Sequence, residues 1–156
     1  MIEIEIPGSQ LLQIEHLVLD FNGTLAQDGL IIDGVLGVLD TLSEKVQIHC
    51  LTADTYGTVS SQFNGHNITL AITPPDRQDL FKAGYVTDLG RQKVACIGNG
   101  RNDLLMMKEA AISIAVIQNE GAASVTIAAA QIVCTDILSA LSLFTNTKRI
   151  TATLRN

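Results

Sequence analysis

A set of polar residues with complementary chemistry stands beside the ends of predicted strands. Asp20 and Thr52 each end a short apolar run. Lys82 lies on a predicted helix before a later apolar run, which Asn99 and Asp103 follow. Because the carboxyl ends of parallel strands meet at one edge of a sheet, these side chains can converge in one crevice. Carboxylates, a hydroxyl and an ammonium suit phosphoryl transfer, in which oxygen ligands hold Mg²⁺ and a cation offsets the phosphate charge.

The elements that must position these residues alternate between strands and helices. Short apolar runs predict strands, and apolar residues at three- and four-residue spacing predict helices between them. Such alternation predicts an α/β fold: a three-layer α/β/α sandwich with a mostly parallel, doubly wound sheet and right-handed crossovers. The predicted strands cover residues 16–20, 46–51, 67–72, 94–97, 112–116 and 132–134, and the predicted helices cover residues 35–42, 58–63, 76–89, 103–110, 121–129 and 137–143.

The two ends of the chain are less regular. Strict apolar–polar alternation over residues 2–6, followed by the turn signal Pro7-Gly8-Ser9, predicts an antiparallel, hairpin-like start that extends one side of the sheet. Residues 146–156 are polar and β-branched, and their pattern does not decide whether they are ordered.

Composition limits the class of protein. A length of 156 residues with 47% hydrophobic residues fits a single domain over residues 1–156. A net charge of −6 without a basic stripe argues against nucleic acid as a partner. No leader-like segment and no bilayer-length apolar run occurs in the sequence, so we expect a cytoplasmic protein with no membrane partner.

Four motifs carry a resemblance to a known family. The sequence reads DFNGT at residues 20–24, LTAD around Thr52, FKAGYV around Lys82 and GNGRND at residues 98–103. These motifs, in this order, resemble those of the haloacid dehalogenase (HAD) superfamily. Within it they are most similar to the phosphorylation domain of P-type ATPases, with its DKTGT and GDGxND motifs, and to soluble P-type ATPase-like proteins. The resemblance implies a HAD-like Rossmannoid fold and a Mg²⁺-dependent hydrolase acting on phosphorylated substrates.

The resemblance also implies residue roles. Asp20 would be the nucleophile that becomes an aspartyl phosphate, and Lys82 would offset its charge, with Arg77 as a rival for that cationic role. Asp20, Asp103, the carbonyl of Asn22 and the position of Asn99 match the family's metal site. The expected substrate-binding residues are Thr52, Asn102, Gly23 and Thr24, the last mainly as a brace of the loop.

Two positions depart from the family pattern. Asn22 stands where many phosphatases of this superfamily have a general acid and base, and an amide cannot transfer that proton. General acid–base catalysis is worth about 10²–10⁴-fold, so we expect a slow enzyme that favours activated leaving groups. Asn99 stands in place of the hinge aspartate, which should weaken metal binding without abolishing it.

The spacing of the motifs leaves no room for a cap domain between Thr24 and Thr52 or between Thr52 and Lys82. An uncapped site is exposed to solvent, and it could be covered during the reaction in two ways. Either the substrate is a macromolecule or large phosphorylated group that covers the site, or another subunit, including one of a homo-oligomer, forms the lid.

Three functional hypotheses follow. The first is a Mg²⁺-dependent phosphohydrolase working through Asp20. The second is a catalytically weakened regulatory or phosphate-binding relative of the P-type ATPase phosphorylation domain, with Asn22 and Asn99 marking the lost catalysis. The third is a phosphoacceptor module like a response-regulator receiver. We rank it last because receivers require an acidic pair upstream of the phosphorylated aspartate, and no such pair ends a strand upstream of Asp20.

Overall fold

A central sheet of six parallel strands organises the fold in the computed structural model, which describes residues 1–54 and 57–155. Its strand order is β10-β9-β8-β3-β6-β7, which confirms the predicted parallel, doubly wound sheet. The strands that follow β3 in the chain lie on both sides of it, β6 and β7 on one side and β8, β9 and β10 on the other. Such a switch point is where open α/β sheets bind ligands. The strands are β3 His16–Asp20, β6 Gln47–Thr52, β7 Ile68–Ile72, β8 Val94–Gly98, β9 Ile112–Val116 and β10 Ile132–Cys134.

Helices cover both faces of the sheet and complete the predicted three layers. One apolar core joins α1 and α6 to one face, and a second core joins α3 and α4 to the other. β3 shows how one strand serves both cores, since Leu17 and Leu19 belong to the first and Val18 to the second. The helices are α1 Val35–Ser43, α2 Val59–Gln62, α3 Gln78–Leu89, α4 Leu104–Glu109, α5 Ser124–Ala129, α6 Ile137–Thr145 and α7 Lys148–Leu154.

The register of the parallel strands aligns the ends that carry the predicted site. Asp20, the last residue of β3, pairs with Leu51 of β6, so Thr52 ends its strand one position further along. On the other side, Leu19 pairs with Ile97 of β8, whose strand ends at Gly98. The carboxyl ends of the three central strands therefore meet at one edge of the sheet.

The amino-terminal segment forms the expected antiparallel hairpin, but its predicted place was wrong. Strands β1 Ile2–Ile4 and β2 Leu12–Ile14 pair only with each other and do not extend an edge of the main sheet. Ile4 and Ile14 are fully buried in the first core, because the hairpin packs its apolar face on the sandwich. The hydroxyl of Thr151 on α7 donates to the carbonyl of Glu5.

Two further elements were not predicted. Strands β4 Ala26–Gln27 and β5 Leu30–Ile31 form a short hairpin directly after the Asp20 loop. The carboxyl-terminal segment, which the sequence left undecided, forms α7, with Ile150 fully buried; Asn156 lies outside the described residues.

In the part of the chain that the structure describes, the β4–β5 hairpin and α1 make up the connection between β3 and β6, and no cap domain is present there. Nor do those residues contain a helix with the length and apolar content of a bilayer span.

Candidate active site

The loop after β3 is held in a tight turn beside Asp20. The backbone nitrogen of Gly23 donates to the carbonyl of Ala26 at 2.8 Å, and that of Ala26 donates to the carbonyl of Phe21 at 2.9 Å. Gly23 adopts φ 73°, and a Cβ at this position would lie 2.9 Å from Cγ of Asn99. Both the left-handed backbone and the close approach require glycine. The turn therefore leaves Asp20 at the strand end, facing the other motifs.

Lys82 joins two carboxylates from different motifs. Its Nζ donates to Oδ1 of Asp20 at 2.5 Å and to Oδ1 of Asp103 at 2.7 Å. The Lys82 side chain is 1% exposed and that of Asp103 is fully buried. A buried ammonium is tolerated because both carboxylates compensate its charge. The structure thus places Lys82 beside Asp20, whereas Arg77 is exposed and lies outside the set of residues that line the cavity described below.

Asp103 is oriented by the backbone that follows β8. Its Oδ2 accepts hydrogen bonds from the backbone nitrogens of Asn99 at 3.0 Å and Gly100 at 2.9 Å. A Cβ on Gly98 would lie 2.5 Å from the same Oδ2, so glycine is required for the carboxylate to approach the strand end. With one oxygen on the backbone and the other on Lys82, the Asp103 side chain is fixed in orientation.

A cavity of about 210 Å³ contains most of the predicted site. Asn102, one of its lining residues, donates through Nδ2 to Oε1 of Gln78 at 2.9 Å. Thr52 is buried, and its Oγ1 accepts a hydrogen bond from the backbone nitrogen of Asp54 at 3.3 Å. The hydroxyl proton of Thr52 is therefore available to a ligand oxygen. The lining residues are Asp20, Asn22, Thr52, Ala53, Gln78, Lys82, Asn99, Gly100, Asn102 and Glu120.

Asn99 connects two loops through its side chain. Its Oδ1 accepts the Thr24 hydroxyl at 3.2 Å, and its Nδ2 donates to the carbonyl of Gly121 at 3.0 Å. An aspartate could not make the second bond, because an ionised carboxylate has no proton to donate. The structure gives Asn99 a tethering contact, and its role as a metal ligand stays a prediction.

The electrostatics of the site favour an additional cation. Burial, followed by the negative charge of Asp103, raises the pKa of Asp20 from 3.8 to about 7, although Lys82 acts in the opposite direction. Burial lowers the pKa of Lys82, but the charges of Asp20 and Asp103 outweigh it and raise that pKa overall. An ionised Asp20 is therefore costly in this site, and a second cation near it would reduce the cost.

The donor set fits Mg²⁺. This ion takes oxygen ligands, is commonly held by one or two carboxylates, and completes its shell with water and substrate phosphate. In the resemblance to the HAD motifs, Asp20 and Asp103 would supply the carboxylates and the carbonyl of Asn22 a further oxygen. In residues 1–54 and 57–155, no cluster of three or more His, Cys, Asp or Glu side chains is placed to hold a metal. Two carboxylates and a backbone oxygen suit a hard ion with few protein ligands.

Sequence reasoning missed two polar residues that line the cavity outside the four motifs. Gln78 begins α3 and contacts Asn102, and nothing in its local sequence marks it. Glu120 lies in the loop after β9, at the same edge of the sheet as Asp20. The topology rule that located Asp20 and Thr52 applies equally to the end of β9, and this signal could have identified Glu120.

The fold and the arrangement of the motif residues define a HAD-like α/β protein. The chain is similar to a protein assigned to the HAD family of hydrolases from Streptomyces avermitilis, at 25% identity and a TM-score of 0.61, covering 79% of this chain and 76% of that one. It also matches a 3-deoxy-D-manno-octulosonate 8-phosphate phosphatase from Moraxella catarrhalis, solved with magnesium, phosphate and the sugar acid, at 21% identity and a TM-score of 0.66 over 90% and 92% of the two chains. The cobalt-bound phosphatase of this kind from Haemophilus influenzae gives 14% identity and a TM-score of 0.73 over 90% and 92%.

The chain belongs to the same family as an uncharacterised protein of Methanocaldococcus jannaschii. The two are 48% identical over 65 residues, which make up 42% of this chain and 70% of that protein. A second uncharacterised protein of the same organism is 49% identical over 39 residues, or 25% of this chain and 89% of that protein. No family model matches the chain.

Proposed function

We propose that the protein is a Mg²⁺-dependent HAD-type phosphohydrolase that works through an aspartyl phosphate on Asp20. The observation that carries this proposal is the shared ion pair of Lys82 with Asp20 and Asp103 at the carboxyl edge of the sheet. A strand-end carboxylate beside a fixed lysine and a fixed second carboxylate, with Thr52 and Asn102 lining the same cavity, matches what phosphoryl transfer requires.

Each side chain has a defined task in this reaction. An oxygen of the Asp20 carboxylate attacks phosphorus, and the bond from phosphorus to the leaving-group oxygen breaks. Lys82 balances the negative charge that collects around the nucleophile, while the Thr52 hydroxyl and the Asn102 amide bind phosphoryl oxygens. Water then attacks the aspartyl phosphate, and the electron pair of the breaking bond returns to Asp20 as inorganic phosphate leaves.

Mg²⁺ would be held by Asp20, Asp103 and the Asn22 carbonyl and would supply positive charge to the phosphoryl oxygens. The need for such charge follows from the cavity itself. Among the described residues that line it, Lys82 is the cationic side chain, whereas Asp20 and Glu120 are acidic. A phosphate dianion would be repelled by this lining without further positive charge.

The rate should depend strongly on the leaving group. Asn22 is exposed and lines the cavity beside Asp20, where its amide can donate a hydrogen bond but cannot exchange a proton with the leaving group. The aryloxide of an aryl phosphate and the carboxylate of an acyl phosphate leave without protonation. Aryl and acyl phosphates should therefore be the better substrates. Unless another group in the cavity supplies the proton, the proposed enzyme is slow on alkyl phosphates.

A phosphorylated substrate of some size would fit the surroundings of the cavity. A second cavity of about 540 Å³ shares Asn22, Thr52 and Ala53 with the first and continues towards Leu30 and Val59. The similar phosphatase from M. catarrhalis, solved with phosphate and a sugar acid, supports a phosphorylated substrate class. A macromolecular substrate and a lid-forming second subunit remain alternatives for covering the exposed site.

The test is hydrolysis of an aryl phosphate by the purified protein. We expect turnover that requires Mg²⁺, stops on addition of EDTA, and is lost in Asp20→Asn. Asp33→Asn, which alters an exposed aspartate outside the cavity, is the matched control and should retain activity. A crystal soaked with Mg²⁺ and beryllium fluoride should show the phosphoryl analogue attached to Asp20. Equal rates in the protein and in Asp20→Asn would refute the proposal.

The alternative is a regulatory, phosphate-binding relative of the P-type ATPase phosphorylation domain. The presence of Asn22 and Asn99 at two family carboxylate positions favours it. This alternative predicts binding without turnover: calorimetry would detect Mg²⁺ and a phosphate analogue, while no phosphate would be released from an aryl phosphate. If calorimetry detects neither ligand, the regulatory alternative is excluded as a phosphate sensor.

A further inference from the structure

Glu120 lines the cavity that also contains Asp20 and Asn22. It lies in the turn between β9 and α5, a segment that none of the motifs includes, and its side chain is exposed to solvent. Its Oε1 accepts a long hydrogen bond of 3.4 Å from the backbone nitrogen of Asp28, in the hairpin that follows the Asp20 loop. Such a weak contact leaves the carboxylate free to bind a ligand in the cavity.

The loop that carries Glu120 is tied to the Asp20 loop on both sides of the glutamate. On one side, Nε2 of Gln118 donates to the carbonyls of Gly23 and Thr24 at 3.0 and 2.9 Å. On the other side, Asn99 donates to the carbonyl of Gly121 at 3.0 Å. The loop is further closed by a hydrogen bond from the backbone nitrogen of Gly121 to the carbonyl of Gln118 at 2.8 Å. These contacts fix the backbone of Glu120 relative to Asp20, which a proton-transferring residue requires.

Glu120 links the two asparagines, Asn22 and Asn99, that depart from the family pattern. With Asn22, the chain lacks the carboxylate that many phosphatases of this superfamily use for proton transfer at this position. Asn99, by having an amide in place of a carboxylate, makes the hydrogen bond to Gly121 that holds the neighbouring glutamate in place. We propose that Glu120 is the general acid and base of this enzyme, and that Asn99 is its positioning residue. The proposal rests on the phosphohydrolase function proposed above.

The proton balance of the two half-reactions is complete with Glu120 in this role. As Asp20 attacks phosphorus and the phosphorus–oxygen bond of the ester breaks, the carboxylic acid of Glu120 gives its proton to the departing oxygen and an alcohol is released. The Glu120 carboxylate then takes a proton from the attacking water. The new phosphorus–oxygen bond forms while the bond to Asp20 breaks, and Glu120 is again protonated for the next cycle.

The experiment compares Glu120→Gln with the unaltered protein on two substrates, an alkyl phosphate and acetyl phosphate. With the alkyl phosphate we expect turnover to fall about 10²-fold or more, because the leaving oxygen needs a proton. With ³²P-labelled acetyl phosphate, transfer to Asp20 needs no acid, but hydrolysis needs the base. We therefore expect more acid-stable label on the protein at steady state, which a residue with only a structural role would not produce.

Three further variants complete the design. Glu44→Gln, at an exposed position outside the cavity, should behave like the unaltered protein. The double variant Asn22→Asp/Glu120→Gln restores a carboxylate within the same cavity and should recover turnover of the alkyl phosphate. Asn99→Ala should lower turnover of the alkyl phosphate and increase the trapped label in the same way as Glu120→Gln, though less strongly.

The outcomes separate this proposal from the function on which it rests. Asp20-dependent turnover that Glu120→Gln leaves unchanged on both substrates overturns the role of Glu120 alone. Turnover that falls without any increase in trapped phosphoenzyme also overturns it, because the base would then not limit hydrolysis. Absence of any Asp20-dependent turnover overturns both proposals together.

Discussion

Lys82 forms ion pairs with both Asp20 and Asp103, residues that lie 62 positions before it and 21 positions after it in the chain. The three side chains come from β3, from α3 and from the turn after β8, so the contact exists only when these segments have packed around the sheet. Two carboxylates and one ammonium are buried together. The arrangement therefore ties the stability of the fold to the electrostatics of its candidate active site.

We expect Lys82→Met to destabilise the protein strongly. The methionine keeps most of the length of the side chain but leaves Asp20 and Asp103 buried without a cation, and loss of one partner of a buried ion pair costs about 3–5 kcal/mol. Urea unfolding measures the loss. Mg²⁺ should restore part of the stability of the variant, and should do so more than for the unaltered protein.

Lys108→Met is the control, because Lys108 is exposed on α4 and takes no part in this network. Its unfolding midpoint should change little. Equal losses in the two variants would mean that the buried charges are compensated by other groups.

In a Glu120→Gln background, Asn22→Asp should increase turnover of an aryl phosphate about tenfold or more, because the aspartate can then activate the water that attacks the phosphoenzyme. Steady-state kinetics with excess Mg²⁺ measures this, and Asp20→Asn in the same background serves as the blank. If the rate does not rise, residue 22 is not oriented towards the reacting phosphate.

Asn99→Asp should have opposite effects with and without metal. Without metal, the variant loses the hydrogen bond to Gly121 and adds a negative charge near Asp20 and Asp103, which we expect to cost about 1–3 kcal/mol. With Mg²⁺, the added carboxylate should bind the ion more tightly and reverse the loss. Thermal unfolding over a Mg²⁺ titration tests this, with the exposed Asn64→Asp as the matched control.

Gly23→Ala separates two costs that glycine avoids. Gly65 has a similar positive φ of 86° but open space around it, so Gly65→Ala carries only the backbone strain of about 1–2 kcal/mol. At Gly23 the new methyl group would also approach Asn99. We expect Gly23→Ala to be the more destabilising of the two in chemical denaturation and the only one to abolish turnover. Similar losses of stability would show that the Asp20 loop can move aside.

A histidine that does not line the candidate site should make stability depend on pH. His49 is buried in β6, where its ring nitrogens lie 3.1 Å from His16 Nδ1 and 2.9 Å from the Tyr85 hydroxyl. Burial, and then the charge of His16, lowers the pKa of His49 to about 4. In the unfolded chain the pKa is about 6.5, so unfolding takes up a proton below this value.

The contribution of His49 is therefore complete above pH 6.5 and is lost as the pH falls towards 4, by up to about 3 kcal/mol. The free energy of unfolding, measured by urea titration across this range, should show the slope. His49→Gln should flatten the slope, although part should remain because burial also lowers the pKa of His16.

Much of the site could be predicted because its residues follow strands that the sequence marks clearly. The run ending at Asp20 and the run ending before Asn99 are apolar throughout, since both strands are covered by helices on both faces. Once the sheet is known to be parallel, convergence of their ends follows from topology. Lys82 could be selected over Arg77 only through the family resemblance, because periodicity gives no indication of which cation turns inwards.

The remaining parts depend on contacts that no local pattern encodes. The amino-terminal alternation predicted a strand pair, but whether that pair joins the sheet edge or packs on a face depends on the apolar area available at Ile4 and Ile14. The tether from Asn99 to Gly121 links residues that are 22 positions apart. From sequence, Asn99 is recognised only as a departure from the family aspartate. The contact of its amide cannot be read there, because the fold is what brings Gly121 close to it.

The strand order has a consequence for variation in this family. The residues with proposed chemical roles follow β3, β6, β8 and β9 or lie on α3, whereas the two outermost strands, β7 and β10, carry none of them. Insertions, altered loops or a new binding partner at either margin would leave the reacting groups where they are. We therefore expect relatives to diverge more at these margins than at the centre of the sheet, where the residues with proposed chemical roles lie.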